Sequence, residues 1–144
     1  YKVIRNFELS QLLKLEGQLV FNEIANFENY VNFIPGCSKA RLREKNEDYE
    51  IGELEFDFLL RQYSIKSKNI ISDKDIKIEQ IDGPFETFEG HWSVHTKGDK
   101  LCEVVFRAKF KLPFLIDNLV PDSVIEKFCE AALKSFLERL NKKG

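Results

Sequence analysis

The C-terminal third of the chain constrains its fold most. Val124, Ile125, Phe128, Cys129, Ala132, Leu133, Phe136, Leu137 and Leu140 recur at helical spacing, a wide apolar stripe that needs a second layer to cover it. Just upstream, Cys102, Val104, Phe106, Ala108, Phe110 and Leu112 alternate with Glu103, Arg107, Lys109 and Lys111, as in a strand with one apolar and one wet face. A one-faced sheet and a one-striped helix each supply the partner the other lacks. Pro121 stands before the helix, so residues 114–120 read either as a separate helical turn or as the first part of one kinked helix.

The rest of the chain feeds that pair. Lys2–Leu15 reads as a first strand ended by Gly17, and Gln18–Asn26, with Val20, Phe21, Ile24 and Ala25, as a helix. Glu28–Ile34 reads as a second short helix, with Tyr30, Phe33 and Ile34 on one side and Pro35-Gly36 as its stop. Strands follow over Ser38–Lys45, Tyr49–Leu60, Gln62–Ser72, Lys74–Ile81, Thr87–Thr96 and Leu101–Leu112, with turns at Asn46-Glu47-Asp48, Ser72-Asp73 and Lys97-Gly98-Asp99. In Tyr49–Leu60 the apolar parity switches from Tyr49 and Ile51 to Leu54, Phe56 and Phe58, which predicts a β-bulge at Gly52-Glu53. Asp82-Gly83-Pro84-Phe85 breaks the alternation. Pro84 has no N–H for a ladder, and Gly83 reads as supplying backbone angles closed to other residues, which makes a tight corner. The expected fold is α+β, a helix-grip: a curved antiparallel seven-stranded sheet wrapped around a long C-terminal helix, with two short helices after strand 1. The 144 residues read as one domain, 1–144, large enough to bury about 70% of its unfolded surface without a disulfide or metal staple.

Composition narrows the function. Thirteen Phe against one Trp and four Tyr supply large apolar area with no polar atom to satisfy, which suits a big core or a cavity for something greasy. A net charge of −2 gives no general attraction to DNA or to an anionic membrane. Cys37, Cys102 and Cys129 show no CxxC spacing and read as free buried thiols in a reducing compartment. No run approaches the ~20 apolar residues of a membrane span, and no signal peptide heads the chain. It starts at Tyr1 and has no Met, so an initiator residue or a longer leader is read as removed.

Two segments carry a family resemblance. Phe21-Asn22-Glu23-Ile24, Phe27-Glu28-Asn29-Tyr30 and Phe33-Ile34-Pro35-Gly36-Cys37 closely resemble the helix–helix–strand entry of the coenzyme Q-binding/RatA family, within the START-like, polyketide cyclase/dehydrase superfamily. Ile81-Asp82-Gly83-Pro84-Phe85 and Gly90-His91-Trp92 resemble that family's central hairpin, and Phe106, Phe110 and the long helix fit its ending. Departures are Pro121 and Lys14–Gly17, where relatives commonly carry a proline. The resemblance implies a hydrophobic cavity between sheet and C-terminal helix. It also implies ubiquinone binding in support of respiration or, for members called RatA, a toxin that blocks association of ribosomal subunits.

Strand parity and helix face nominate Phe56, Phe58, Phe88, Trp92, Phe106, Phe110, Phe128 and Phe136 as cavity lining; the same residues would equally serve as plain core. The Trp92 N–H has a quinone oxygen or a backbone carbonyl as its alternatives. Phe114, Leu115, Leu119 and Val120 form a candidate gate, between prolines where sheet hands over to helix; a packed helix start is the competing reading. No metal site is expected: His91 and His95 lie four apart on a strand, ~13 Å from each other and on the polar face. No GxSxG, HExxH or phosphate loop occurs, no catalytic residue is assigned, and Glu53, Glu55 and Asp57 fall on the solvent face. Lys39, Arg41, Arg43 and Lys45 share one strand face, and Arg107, Lys109 and Lys111 another. Such stripes would favour a ribosome or anionic head groups, unless Glu53, Glu55 and Asp57 pair across to the first of them.

The expected function is therefore non-enzymatic carriage of a hydrophobic small molecule, best a ubiquinone-type polyisoprenoid quinone, with transient membrane contact and no required cofactor. A RatA-type toxin acting on the ribosome is the alternative, and a small cyclase-like enzyme the second. The expected location is the bacterial cytoplasm, peripheral at the inner membrane, or the matrix side in a mitochondrion.

Overall fold

A computed structural model describes residues 4–58, 60–113 and 117–143. The elements run β1 (Arg5–Leu13), α1 (Gly17–Ala25), a 3₁₀ helix (Phe27–Asn32), β2 (Cys37–Lys45), β3 (Glu50–Phe58), β4 (Arg61–Ser72), β5 (Asp75–Asp82), β6 (Thr87–Gly98), β7 (Leu101–Lys111) and a long helix, here α2 (Asp122–Lys143). The strands make one seven-stranded antiparallel sheet in the order β1-β7-β6-β5-β4-β3-β2. Consecutive strands pair as hairpins from β2 to β7, and β1 closes on the far side of β7, with Arg5 opposite Phe110 and Leu13 opposite Cys102. The expected helix-grip architecture holds. β1 is shorter than expected, and α2 starts directly after Pro121, separate from the turn at residues 117–119.

Several local expectations are corrected. Gly17 opens α1 instead of ending β1; a Cβ there would sit 2.7 Å from the Thr96 hydroxyl, so the residue is small to let helix meet sheet. The second short helix is a tight 3₁₀ turn that stops at Asn32. The bulge lies one strand away from its expected place. β3 keeps perfect register with β4, while the β2–β3 pairing slips between Leu42 and Glu44, so the extra residue is Arg43 of β2. Tyr49 consequently stays on the outer face, under the Lys68 ammonium at 4.7 Å, and Glu50 turns inward and is buried. Gly83 does not adopt a positive φ; Gly36 does, at 76°. A side chain at Gly83 would press on the Gln80 amide and Ile65, so the corner needs room there, not an unusual φ. The hairpin turn between β6 and β7 falls at Asp99-Lys100.

The dense core gathers at one end of the sheet. Val20, Phe21, Ile24, Phe27, Val94, Cys102 and Leu140 are buried there with Phe136. The Phe136 ring lies 5.1 Å from Phe33 and 6.0 Å from Trp92, so the last turns of α2 are clamped between the short helices and the sheet. Arg139 adds a polar tie, donating from Nε to Glu23 and from Nη2 to Asn29. Toward its N-terminus α2 is held differently: Ile125, Phe128, Cys129 and Ala132, all on the apolar stripe, are only half-buried.

Candidate functional site

The half-buried stripe faces a void. Between the first turns of α2 and the concave face of the sheet lies a cavity of about 300 Å³, partly open to solvent. Its walls include Phe56, Phe58, Phe88, Trp92, Phe106, Phe110, Phe128 and Phe136, so the structure brings every nominated wall residue to one space. Strand parity explains the sheet residues, since alternate positions of neighbouring strands share a face. The rings also pack on each other: Phe58 meets Phe128 edge-on at 5.5 Å, and Trp92 lies 4.7 Å from Phe106. Phe136 serves both regions, as a cavity wall and as a core residue 1% exposed.

Other wall residues escaped sequence reasoning. Phe85 contacts both Phe88 and Phe110. It is aimed inward because the Gln80 side chain holds it at both ends, donating from Nε2 to the Phe85 carbonyl and accepting from its N–H. An amide one turn upstream of a Gly-Pro pair is the only sequence signal for that. Tyr30 and Ser67 bring polar atoms to the wall. The Tyr30 hydroxyl donates to the Ile24 carbonyl at 2.9 Å, and burial pushes it well above the ordinary phenol value, with the Trp92 side chain opposing and the nearby Glu50 charge adding. The Ser67 hydroxyl donates to Asn69 Oδ1 at 2.9 Å, and both residues are buried. The inner end of an otherwise greasy space therefore carries a phenol, a hydroxyl and an indole, and no ionised group lines it among the described residues.

The candidate gate divides. Phe114 and Leu115 lie outside the described residues. Val120 is buried in the cavity wall, and Leu119 is three-quarters exposed. Arg5 holds this stretch to β1: Nη2 donates to the Asp117 carbonyl at 2.7 Å and to its carboxylate at 3.0 Å, and Nη1 donates to Asp122 at 3.2 Å.

Comparisons with known proteins agree with this geometry. The profile of a family described as polyketide cyclase/dehydrase and lipid transport matches residues 15–137, from the end of β1 to within the last turns of α2. The chain belongs to this family. Its curated relatives include the ribosome association toxin RatA of Rickettsia prowazekii, 24% identical over 96% of this chain and 95% of that protein. RatA of Vibrio cholerae is 21% identical over 90% of this chain and 91% of that protein. In fold it is similar to the Zhui aromatase/cyclase of Streptomyces sp. R1128, with a TM-score of 0.85 at 17% identity over 98% of this chain and 96% of that one. It is similarly close to TTHA0849 of Thermus thermophilus, with a TM-score of 0.84 at 14% identity over 97% of this chain and 99% of that one.

On the outer face of this cyclase/dehydrase and lipid-transport fold, acidic neighbours pair with the first basic stripe and with Arg107 of the second. Lys39 and Arg41 both reach Glu55, at 3.7 and 3.9 Å, and Arg43 is bonded to Glu53. The Arg43 guanidinium holds the Glu53 carboxyl below the usual carboxylate range. Lys45 pairs with the inward Glu50 at 3.6 Å, and Arg107 with Glu8 at 3.1 Å. His91 is not free on the polar face, as expected, but shares the Asp75 carboxylate with the Ser93 hydroxyl; His95 is exposed. Among the described residues no group of His, Cys, Asp and Glu is arranged to hold a metal ion, and no helix is long and apolar enough to cross a membrane. Cys102 is buried, and burial pushes its thiol up. Cys129, in the cavity wall, has its thiol pushed up to about 11 by burial and then by Glu130.

Proposed function

We propose that this protein binds a hydrophobic small molecule beneath α2 and carries it without transforming it, the best-fitting class being a ubiquinone-type polyisoprenoid quinone. The cavity carries the reading. Unfilled apolar space in a closed interior costs roughly 24 cal/mol per Å³, so about 300 Å³ sets a ceiling of ~7 kcal/mol on the packing left unused, lowered by the opening to solvent. That is comparable with the whole stability of a small domain, and an occupant that completes the packing offsets it. The volume is twice the ~150 Å³ of an apolar cavity that accepts benzene, room for a substituted quinone ring and the start of its tail; a longer tail would lie along the mouth. Each five-carbon isoprenoid unit contributes ~4 kcal/mol before ordering costs, so no charged anchor is needed. The Trp92 indole N–H is the wall donor suited to a ring oxygen, since the Ser67 hydroxyl already donates to Asn69.

Carriage fits better than catalysis. The strongest nucleophile in the wall among the described residues, half-buried Cys129, is held as a thiol, and a thiol kept neutral at pH 7 is a weak nucleophile. Delivery between a bilayer, biosynthetic enzymes and respiratory complexes would involve transient contact with the cytoplasmic face of a membrane. The RatA names of the relatives favour a second reading, a ribosome-directed toxin, but the pairing of Lys39, Arg41 and Arg43 with Glu53 and Glu55 leaves that stripe little charge for phosphates.

Organic extraction of the purified protein followed by mass spectrometry tests the first reading. A quinone or other lipid at near-stoichiometric amount is expected, with ubiquinone rebinding to the emptied protein. Recovery of no lipid together with no ubiquinone binding would overturn it. Salt-sensitive co-sedimentation with ribosomal subunits, abolished by Lys39→Glu and Arg41→Glu, would establish the second reading in its place.

A further inference from the structure

We infer that the open end of the cavity docks on a lipid bilayer surface through Leu60, Ile81 and Leu119. The inference deepens the hydrophobic-ligand reading and rests on it. Leu60, in the β3–β4 turn, is fully exposed, Leu119 is 75% exposed and Ile81 53% exposed. They come from separate places in the chain, yet the meander brings them together. In an antiparallel sheet ordered β1-β7-β6-β5-β4-β3-β2, the β3–β4 turn, the β5–β6 corner and the segment after β7 all leave the sheet at the same end. The exposed Ile4, just before β1, is at that end too, because Arg5 is registered opposite Phe110.

This is also the end to which the cavity runs. Phe58 precedes the Leu60 turn, Pro84 and Phe85 follow Ile81, and Val120 follows Leu119; all four line the cavity. Each exposed aliphatic side chain is thus within a few residues of a wall residue, at the end of the sheet to which the cavity runs. Single exposed apolar residues need no explanation, but a set of them at that end does.

Leu60 strengthens the case. Its φ of 66° lies in the left-handed region, which disfavours residues other than Gly, Asn and Asp. A turn selected for stability alone would carry one of those, and a polar one. This turn instead presents a full leucine side chain to water, with no partner among the described residues to repay either penalty.

The occupant follows from area and charge. Side chains on separate turns form neither the continuous ~800 Å² per partner of a standard protein interface nor an edge on which a strand could add. A bilayer accepts isolated aliphatic tips without shape complementarity, and it is where a water-insoluble ligand resides. Asp57, Arg61, Asp82 and Glu86 are exposed around the same turns, a mixed set that suits zwitterionic head groups better than anionic ones.

Flotation with phosphatidylcholine/phosphatidylethanolamine vesicles tests the docking. The wild-type protein should float with the vesicles, and the Leu60→Asp/Leu119→Asp variant should partition at least tenfold less, since each leucine withdrawn from lipid forfeits about a factor of ten. A charge-matched control, Ile70→Asp/Ile71→Asp at the opposite end of the sheet, should float like wild type. Circular dichroism melting shows that each variant is folded. Docking is overturned if the wild-type protein stays with the aqueous phase, if the rim variant floats equally well, or if both double variants lose flotation alike. It is also overturned if light scattering finds a dimer that the rim variant abolishes while vesicles bind neither protein. Lipid content is read separately on the same preparations: an empty cavity with flotation intact would sink the carrier reading, and a filled cavity without flotation would sink only the docking.

Discussion

Substituting Ala132 by leucine distinguishes a cavity from a core by the sign of its effect. Ala132 lies on the α2 stripe, half-buried, with its methyl in the cavity wall. Leucine adds three carbons in that direction. At ~0.8 kcal/mol per buried carbon the transfer term is ~2.4 kcal/mol. Fixing the longer side chain removes ~0.5–1 kcal/mol, and the change in helix propensity is ~0.2 kcal/mol. The net stabilisation is ~1–2 kcal/mol, a rise in Tm of roughly 3–6 °C for a chain of this size. In a filled core the same change would overpack and cost ~1–3 kcal/mol. Thermal unfolding of the lipid-free protein, followed by circular dichroism, reads the sign. Titration with a short-tailed ubiquinone should meanwhile show at least a tenfold loss of affinity, because the added carbons occupy the ligand's space. A fall in Tm with native secondary structure retained would refute the reasoning, since the side chain would then have met atoms where a void is described.

Phe136→Ala, at a residue 1% exposed and wedged between Phe33 and Trp92, should cost ~3–5 kcal/mol in urea unfolding, whereas Phe128→Ala at the half-buried rim should cost under ~2 kcal/mol. Gly36→Ala should lose at least ~2 kcal/mol by the same assay, because φ there is 76° and a Cβ would strike the Asp57 carbonyl oxygen. Cys129 should resist iodoacetamide at neutral pH and react faster as pH rises toward about 11; saturating ubiquinone should slow it at least fivefold while leaving Cys37 unaffected, as read by peptide mass spectrometry. The raised native-state value also has a stability consequence. Its contribution is complete below the unfolded thiol's ~8.5 and is lost as pH rises through about 11. Wild type should therefore weaken more steeply than Cys129→Ala over that window in urea midpoints taken at successive pH values.

Much of the site was legible because strands and helices have fixed periods. Phe88 and Trp92, or Phe106 and Phe110, must share a face whatever the surroundings, and the α2 stripe must turn toward that face. The misreadings came from positions where two periods compete. Tyr49 and Ile51 looked inward because they are apolar, but the extra residue that resets the pairing is Arg43 in the neighbouring strand, and parity within one strand cannot say which partner bulges. Glu50 turns inward for the same reason. Phe85 and Ser67 stayed invisible because a corner held by a distant amide and a small polar residue among charges leave no periodic trace. Lys39 and Arg41 share a face as read, but the extra residue Arg43 breaks the stripe and sets Lys45 opposite the inward Glu50, and the pairing with Glu53 and Glu55 likewise depended on register.

The sequence by itself determined the element order, the apolar face of each strand and helix, and hence the helix-grip class, because local periodicity and the rule that apolar faces must be covered leave few other arrangements. Tertiary structure alone decided that α2 packs on the core from Leu133 onward and stands off the sheet around Ile125, Phe128 and Ala132. The same aromatic residues could have met in a solid core. Whether facing side chains touch or leave a void depends on the distance between two layers, which the short helices and the Arg139–Glu23–Asn29 tie set at one end, and which no pattern along a single strand encodes.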